Sequence, residues 1–283
     1  MSEFARPMLL GGEFFPDHDA NKMANEGDVV GARQRFLAKR PNNLRYLLEK
    51  RFGWMNDYIK PGMNAIELGS GAGFLGLFVE APVALSDVEP RPWTSRIVDA
   101  MAIGELGEQF DVVVCSHMIH HLASPMAFFD QLAKAVKPGG RVLINEIHTS
   151  LSMRFLLWLM KHEGWSYDVD VFDPSAVAND PRDPWSANCA IPQLLWHDRK
   201  AFAAAVPQFV IERYELNECL VFPLSGGVIA KTKTINLPDP LLKAVDWMDS
   251  VLIKLAPETF AMASRLVLRR VQASGLPAGG SST

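Results

Sequence analysis

The chain has 283 residues, 48% hydrophobic and 21% charged, which is enough to bury a full core in one large domain or a domain with an appendage, and which excludes wholesale disorder, collagen and coiled coil. Lysine and arginine number 28 against 32 acidic residues, a net charge of −4, and this argues against a dedicated nucleic-acid binder. Cys115, Cys189 and Cys219 form neither a C-x-x-C pair nor a metal-ligand spacing, which points away from a disulfide scaffold and toward a reducing compartment.

Met1 to Phe15 lacks the basic segment, apolar stretch and small-residue cleavage site of a secretory signal. The most apolar short run, Phe155 to Met160, is far too short to cross a bilayer. A soluble, cytoplasmic protein is therefore expected. Arg33 to Lys60 reads as helix broken near Pro41, with Leu44, Leu47, Leu48 and Phe52 at helical spacing and a run of basic residues from Arg33 to Arg51. Pro61-Gly62 stops it. Short apolar runs then alternate with helical stretches. Strands are expected at Asn64–Leu68, Pro82–Ser86, Ser95–Val98, Asp111–Ser116 and Arg141–Ile147. Helices are expected at Phe74–Glu80 and Pro125–Val136, and a turn at Lys137–Gly140. Such alternation implies crossover units and a parallel sheet covered by helices.

Beyond Ile147 the pattern changes. Ser152–His162 reads as an apolar helix, Gly164–Pro192 as irregular and rich in Trp, Asp and Pro, and Lys200–Val206 as a short helix. Phe209–Cys219 alternates as a strand does, and Pro223–Lys233 is the candidate returning strand. Pro240–Arg270 reads as two helices broken at Pro257. Residues 273–283 are small, Gly/Ser/Pro-rich and expected to fray.

The stretch Ala65-Ile66-Glu67-Leu68-Gly69-Ser70-Gly71-Ala72-Gly73 ends a strand and opens a helix. Glycines at alternate positions let the backbone turn sharply and approach a ligand. About twenty residues on, Asp87 ends the next strand, where an acid accepts the hydroxyls of a ribose. This is a site for a nucleoside-type cofactor, and the spacing alone leaves nicotinamide and S-adenosylmethionine both open. The glycines read G-x-G-x-G with an acid two residues ahead, whereas the dinucleotide fingerprint reads G-x-G-x-x-G.

Together with Phe110-Asp111-Val112-Val113-Val114-Cys115-Ser116-His117-Met118-Ile119-His120-His121-Leu122, the stretch Leu132 to Val136 and Lys137-Pro138-Gly139-Gly140-Arg141-Val142-Leu143-Ile144, this motif resembles the class I S-adenosylmethionine-dependent methyltransferases over roughly Lys60 to Ile147. His162-Glu163, Phe172-Asp173-Pro174 and Leu224-Ser225-Gly226-Gly227-Val228 look like a bacterial subgroup of that family. The resemblance implies an α/β fold with a doubly wound, mostly parallel seven-stranded sheet of the Rossmann-like methyltransferase kind, carrying helical cap insertions. It assigns Glu67, Gly69, Ser70, Gly71 and Gly73 to the methionine end of the cofactor, and Asp87 and Val88 to ribose and adenine. Asp99 and Ala100 fall at the adenine edge, and Ser116 and His117 beside the methionine. One departure stands out: Val88-Glu89-Pro90-Arg91-Pro92-Trp93 replaces the helix usual between strands two and three, because two prolines oppose a regular helix there. Glu89 is the alternative ribose ligand.

His117, His121, Glu146, His148, His162 and Glu163 are the candidate catalytic residues, any of which could take a proton from a hydroxyl or amine. His117 and His121 are spaced to share a helix face. Adjacent His120 and His121 are not, so His120 reads as ordering the first turn of a helix and no metal is expected. Trp158, Trp165, Trp185 and Trp196 are core residues or walls of an apolar acceptor pocket. The organisation expected is a helical cap segment over 1–60, a cofactor-binding half of the core over 61–149, a cap insert over 150–198, the rest of the core with terminal helices over 199–271, and a flexible tail over 272–283. The terminal helices serve as core or as a homodimer face. The expected activity is transfer of a methyl group from S-adenosylmethionine to an oxygen, nitrogen or carbon nucleophile of a small organic acceptor, mainly by in-line positioning, in biosynthesis. The alternatives are a lipid or prenyl-type acceptor with peripheral membrane contact, a nicotinamide-dependent oxidoreductase, and a non-catalytic adenosyl-binding regulator.

Overall fold

The computed structural model describes residues 12–15, 28–161, 163–183, 185–229 and 232–271. Its strands are β1 (Glu13–Phe14), β2 (Ala65–Leu68), β3 (Ala84–Asp87), β4 (Arg96–Ile97), β5 (Phe110–Ser116), β6 (Val136–Ile147), β7 (Trp165–Ser166), β8 (Phe209–Asn217) and β9 (Ala263–Arg270). Seven of them form one sheet in the order β4-β3-β2-β5-β6-β9-β8. Neighbours from β4 to β6 run parallel, and β9 is antiparallel to both β6 and β8. The doubly wound, mostly parallel seven-stranded sheet expected from the sequence is thus present.

The central strands are apolar without alternation because both sides of the sheet are covered. Ile66, Leu68, Val113, Cys115, Val142 and Ile144 point into one core, with Phe128, Phe129 and Trp196. Ala65, Val112, Val114 and Leu143 point into the other, with Phe36, Leu47, Leu48 and Phe74. The period of two sorts consecutive residues to opposite faces.

The helices are α1 (Val29–Lys39), α2 (Asn42–Phe52), α3 (Pro125–Ala135), α4 (Leu151–Met160), α5 (Ile191–His197), α6 (Arg199–Ala205), α7 (Val221–Leu224), α8 (Asp239–Leu255) and α9 (Pro257–Phe260). The Asp28 carboxylate caps α1 by accepting from the Gly31 amide at 3.0 Å. The break before Pro41 falls at Arg40, in the left-handed region at φ 40°, and beyond α2 the chain tightens into a 3₁₀ turn over Gly53–Asp57. Ser150 caps α4 by accepting from the Met153 amide. Among the described residues, no helix is long and apolar enough to cross a membrane.

Four local expectations are corrected. Phe74–Glu80 holds only a 3₁₀ turn at Leu75–Leu77, because the few residues between Gly73 and Pro82 are too short a stretch to repay α-helix nucleation. Lys137–Gly140 is an excursion inside β6, since Phe110 pairs with Val136 and Val112 with Arg141. Pro223–Lys233 is not the returning strand: α7 is followed by Gly226 and Gly227 at φ 80° and 83°, incompatible with extended pairing. The partner of β8 is β9, in the stretch expected to be the second C-terminal helix. Leu266, Val267 and Leu268 are buried there between the two faces of the sheet, and that burial decides for strand over helix.

The expected absence of a helix between β3 and β4 is seen. The cap insert is largely irregular, and its β7 pairs antiparallel with β1.

A candidate cofactor and acceptor site

The glycine turn after β2 is held from three directions. The Gly71 amide donates to Asp87 Oδ2 at 2.8 Å, and Trp93 Nε1 donates to the Gly71 carbonyl at 2.9 Å. Arg33 Nη1 donates to the carbonyls of Ala72 and Gly73 at 2.8 and 2.7 Å, and its guanidinium lies over the Trp93 ring at 4.8 Å. Gly71 has φ +48° and open space where a side chain would project. Gly73 has φ +64°, and a Cβ there would meet Trp93 Cδ1 at 2.3 Å. The first glycine leaves room for a ligand and the second leaves room for the tryptophan.

This turn borders a cavity of about 910 Å³ at the carboxyl ends of β2, β3, β5 and β6, where open parallel sheets place their ligands. Glu67, Gly69, Ser70, Gly71, Asp87, Val88, Asp99, Ala100, Ser116 and His117 all line it, and Gly73 does not. Glu67 is 2% exposed and its Oε2 has no hydrogen-bond partner. Burial first, then the charge of Asp87, push its carboxyl well above the usual range. An unpartnered carboxyl in the cavity wall fits the cationic methionine end of an adenosyl sulfonium, and Asp87 beside Val88 fits its ribose and adenine. Glu89 also lines the cavity, but its carboxylate is engaged by Arg91. The Asp87 carboxylate is engaged by backbone amides, those of Gly71 and Glu89. Asp99 accepts from the Met101 amide at 2.8 Å, which anchors the adjoining turn.

Much of the remaining lining is apolar, with Leu48 and Phe52 of α2, Met153, Leu156, Leu157 and Met160 of α4, and Phe222, Val228 and Ile229. Of the four tryptophans only Trp185 lines the cavity; Trp196 is core, 2% exposed, and Trp158 is 53% exposed. Arg51 also lines it. Its guanidinium makes a bidentate pair with Glu218, Nε–Oε1 2.9 Å and Nη2–Oε2 2.7 Å, with both side chains buried. The basic run is largely consumed by such contacts: Arg35 pairs with Asp28, Arg45 with Glu49 and Asp239, and Lys50 with Asp246.

Three of the candidate proton acceptors line the cavity: His117, His121 and Glu163. His117 has φ 51°, and its Nε2 lies 3.1 Å from Asn145 Nδ2, which can only donate. Burial, then the nearby Arg51 charge, lower its pKa to about 3. His121 Nδ1 lies 3.1 Å from the Ser186 carbonyl. A carbonyl can only accept, so Nδ1 carries the hydrogen and Nε2 is the free base. Burial, then the neighbouring His120, lower His121 to about 4. Both imidazoles are therefore neutral at physiological pH.

Glu146 and His148 are elsewhere. Glu146 is fully buried outside the cavity lining and accepts from the amides of Met118 and Ile119 at 2.6 and 2.5 Å and from His120 Nδ1 at 2.7 Å. It orients the 3₁₀ turn Ile119–His121. His148, also buried, lies 3.6 Å from Glu258. His162 is outside the described residues.

The sequence assigns His120 only an ordering role in a first helical turn, but it also lines the cavity. Burial opposes its positive charge, but Glu146 and Glu163 together outweigh burial and raise its pKa. In the 3₁₀ turn the rings of His120 and His121 come within 4.3 Å, and the ring nearest His117 is that of His120, at 6.4 Å. The α-helical spacing assumed for these residues therefore does not apply. Arg33 and Trp93 were missed as well. They lie far from the glycines in sequence, and only the fold brings them together.

Residues 33–170 match the family model described as a methyltransferase domain. A ubiquinone biosynthesis O-methyltransferase from Stutzerimonas stutzeri is 30% identical over 121 residues, 35% of this chain and 50% of that protein. One from Aliivibrio fischeri is 26% identical over 160 residues, 50% of this chain and 58% of that protein. The chain thus spans about half the length of the curated relatives it matches. A crystal structure of a SAM dependent methyltransferase from Archaeoglobus fulgidus aligns with 80% of this chain and 94% of that chain, at 15% identity and a TM-score of 0.47. Over residues 33–170, just under half of the chain, the protein is thus similar to the methyltransferase domain.

Proposed function

We propose that the protein transfers a methyl group from S-adenosylmethionine to a hydroxyl oxygen of a small organic acceptor with an apolar body. The observation that carries this reading is one cavity of about 910 Å³ whose wall joins the acidic residues of the glycine turn, the apolar side chains of α4 and the neutral imidazoles of His117 and His121. When bound, the cofactor supplies an activated methyl on a sulfonium. Glu67 and Asp87 would hold its two ends. Leu156, Leu157, Met160 and Phe222 would exclude water and seat the acceptor's apolar body. His121 Nε2, unprotonated in the cavity wall, would accept the proton of the acceptor hydroxyl. The O-methyltransferase activity in the relatives' names supports oxygen over nitrogen or carbon as the accepting atom.

A lipid or prenyl-type acceptor is the second reading. Helix α4 is apolar on its cavity side and carries Phe155, Trp158 and Leu159 exposed on its outer side, so an apolar chain could pass between the two. Incubation with S-adenosylmethionine and a graded panel of hydroxylated acceptors, short and long, tests both readings by mass spectrometry. A product heavier by one methylene, formed with S-adenosylhomocysteine, supports the proposal, and its dependence on chain length separates the two. Methylation confined to amines or carbon acids would overturn the oxygen assignment.

A further inference from the structure

We propose that His120, His121 and Glu163 form a binding site for one divalent transition-metal ion of the zinc class, with its open position facing the acceptor half of the cavity. Among the described residues these three side chains bring one donor atom each to within 4.8 Å of one another. His120 Nε2 lies 3.6 Å from Glu163 Oε2, and His121 Nε2 lies 3.8 Å from Glu163 Oε1. Zinc bonds of about 2.1 Å give a tetrahedral edge of about 3.4 Å, so side-chain closure by up to about 1.4 Å from the 4.8 Å spread completes the face.

The second observation is the orientation of the rings. His120 Nδ1 is held by the Glu146 carboxylate at 2.7 Å, and His121 Nδ1 by the Ser186 carbonyl at 3.1 Å. Metal-binding histidines characteristically donate their other ring N–H to a carboxylate or a backbone carbonyl, which fixes the tautomer and aims the free nitrogen at the ion. Both forms of that support are present here. They set two Nε2 atoms and a carboxylate close together; without an ion the proton on His120 faces Glu163, and a divalent cation would displace that proton and bind in its place. The thiol of Cys189 donates to Glu163 Oε2 at 3.3 Å and steadies the third ligand. Two histidines and a glutamate, with a position left open, form a donor set suited to zinc acting on a bound oxygen. All three residues line the cavity.

What the ion would do rests on the function proposed above. An acceptor hydroxyl entering the open position would bind through oxygen and lose its proton to solvent water. The O–C bond would then form as the S–C bond breaks, and the sulfonium would leave as a neutral thioether. The acceptor class narrows to compounds with an ionisable hydroxyl, phenolic or enolic. His121 would then serve as ligand and not as base.

The test is titration of the chelator-treated full chain with Co²⁺ and with Zn²⁺ by calorimetry and, for Co²⁺, visible absorption. S-adenosylhomocysteine affinity is measured on the same samples. One ion per chain is expected, with the ligand-field bands of a low-coordinate cobalt site. Glu163→Gln and His121→Gln should each weaken binding by more than about 10-fold, while His197→Gln at an exposed position should leave it unchanged. S-adenosylhomocysteine binding should persist in every variant, which also shows that each is folded. Metal affinity unaltered by both cavity variants, or absent in a protein that still binds S-adenosylhomocysteine, would overturn the site and leave the methyltransferase reading standing. A protein that takes one Co²⁺ through these residues but no S-adenosylhomocysteine would keep the site and overturn that reading.

Discussion

Replacing Glu67 by glutamine tests the cofactor grip through two effects of opposite sign. The side chain is 2% exposed, its Oε2 lacks a partner, and burial together with the charge of Asp87 holds its pKa well above the usual carboxylate range. Glutamine is as polar as the neutral carboxyl but never ionises, so where the wild-type carboxyl is driven toward its charged form the ligand-free variant should melt higher, by about 2–4 °C for each kcal/mol of that ionisation cost in a chain of this size. Because the folded-state pKa is raised, the folded chain holds more protons than the unfolded one once pH exceeds the unfolded value of about 4.3. Wild-type stability therefore falls as pH rises toward the raised value, and the advantage of the variant should widen over the same range. Binding should change the other way. Loss of a charge-assisted contact worth about 1.5–3 kcal/mol weakens S-adenosylmethionine by about 10- to 150-fold. A cation arriving beside Glu67 should also expel its proton. Calorimetry in two buffers of unequal ionisation enthalpy should detect that release in the wild type and not in the variant. Unchanged affinity, or a lower melting temperature with no difference in proton release, would refute the reasoning.

Asp87→Ala removes both the ribose acceptor and the 2.8 Å bond to the Gly71 amide, and should weaken S-adenosylmethionine by more than about 10-fold; an effect found only with Glu89→Ala would move the ribose site. Gly71→Arg should abolish binding while costing the fold only about 1–2 kcal/mol of left-handed strain, because nothing lies within 4 Å of its Cβ position. Gly73→Ala should lower the melting temperature further, because its Cβ meets Trp93 at 2.3 Å; equal melting of the two variants would contradict the distinction. Arg51→Met strands Glu218 in the core and should cost about 3–5 kcal/mol in denaturant unfolding at neutral pH. Burial pushes Glu218 up, but the charge and hydrogen bonds of Arg51 more than reverse this, so its pKa is lowered. The wild-type pair therefore stabilises above the unfolded value of about 4.3 and fails as pH falls through the lower folded value. The variant should lose that acid sensitivity in a circular-dichroism titration.

The parts of this molecule legible in its sequence are those fixed by local pattern. Ile66 to Gly71 declare a strand and a tight turn, Val112 to Cys115 declare a strand covered on both faces, and Asp87 follows at the distance a ribose requires. Pro90 and Pro92 removed the helix after β3 as expected. Strand β9 was not legible, because Leu266-Val267-Leu268 between arginines suits a helix end as well as a strand until pairing with β6 and β8 selects one. The same limit hid Arg33 and Trp93, whose roles arise from contact with a loop distant in the chain. It also misplaced the histidines. His120 and His121 diverge on an α-helix, but the turn here is 3₁₀ and is held by Glu146 from β6. Glu146 was expected to face a ligand, and in the structure its hydrogen bonds go to that turn.

The central claim is that the glycine turn, Glu67 and Asp87 hold an adenosyl sulfonium. Calorimetric titration of the purified chain with S-adenosylhomocysteine and, separately, with a reduced nicotinamide dinucleotide tests it most directly. One S-adenosylhomocysteine per chain is expected, lost in Gly71→Arg, with no heat from the nicotinamide compound. Saturable binding of the nicotinamide compound, with none of S-adenosylhomocysteine, would contradict the account.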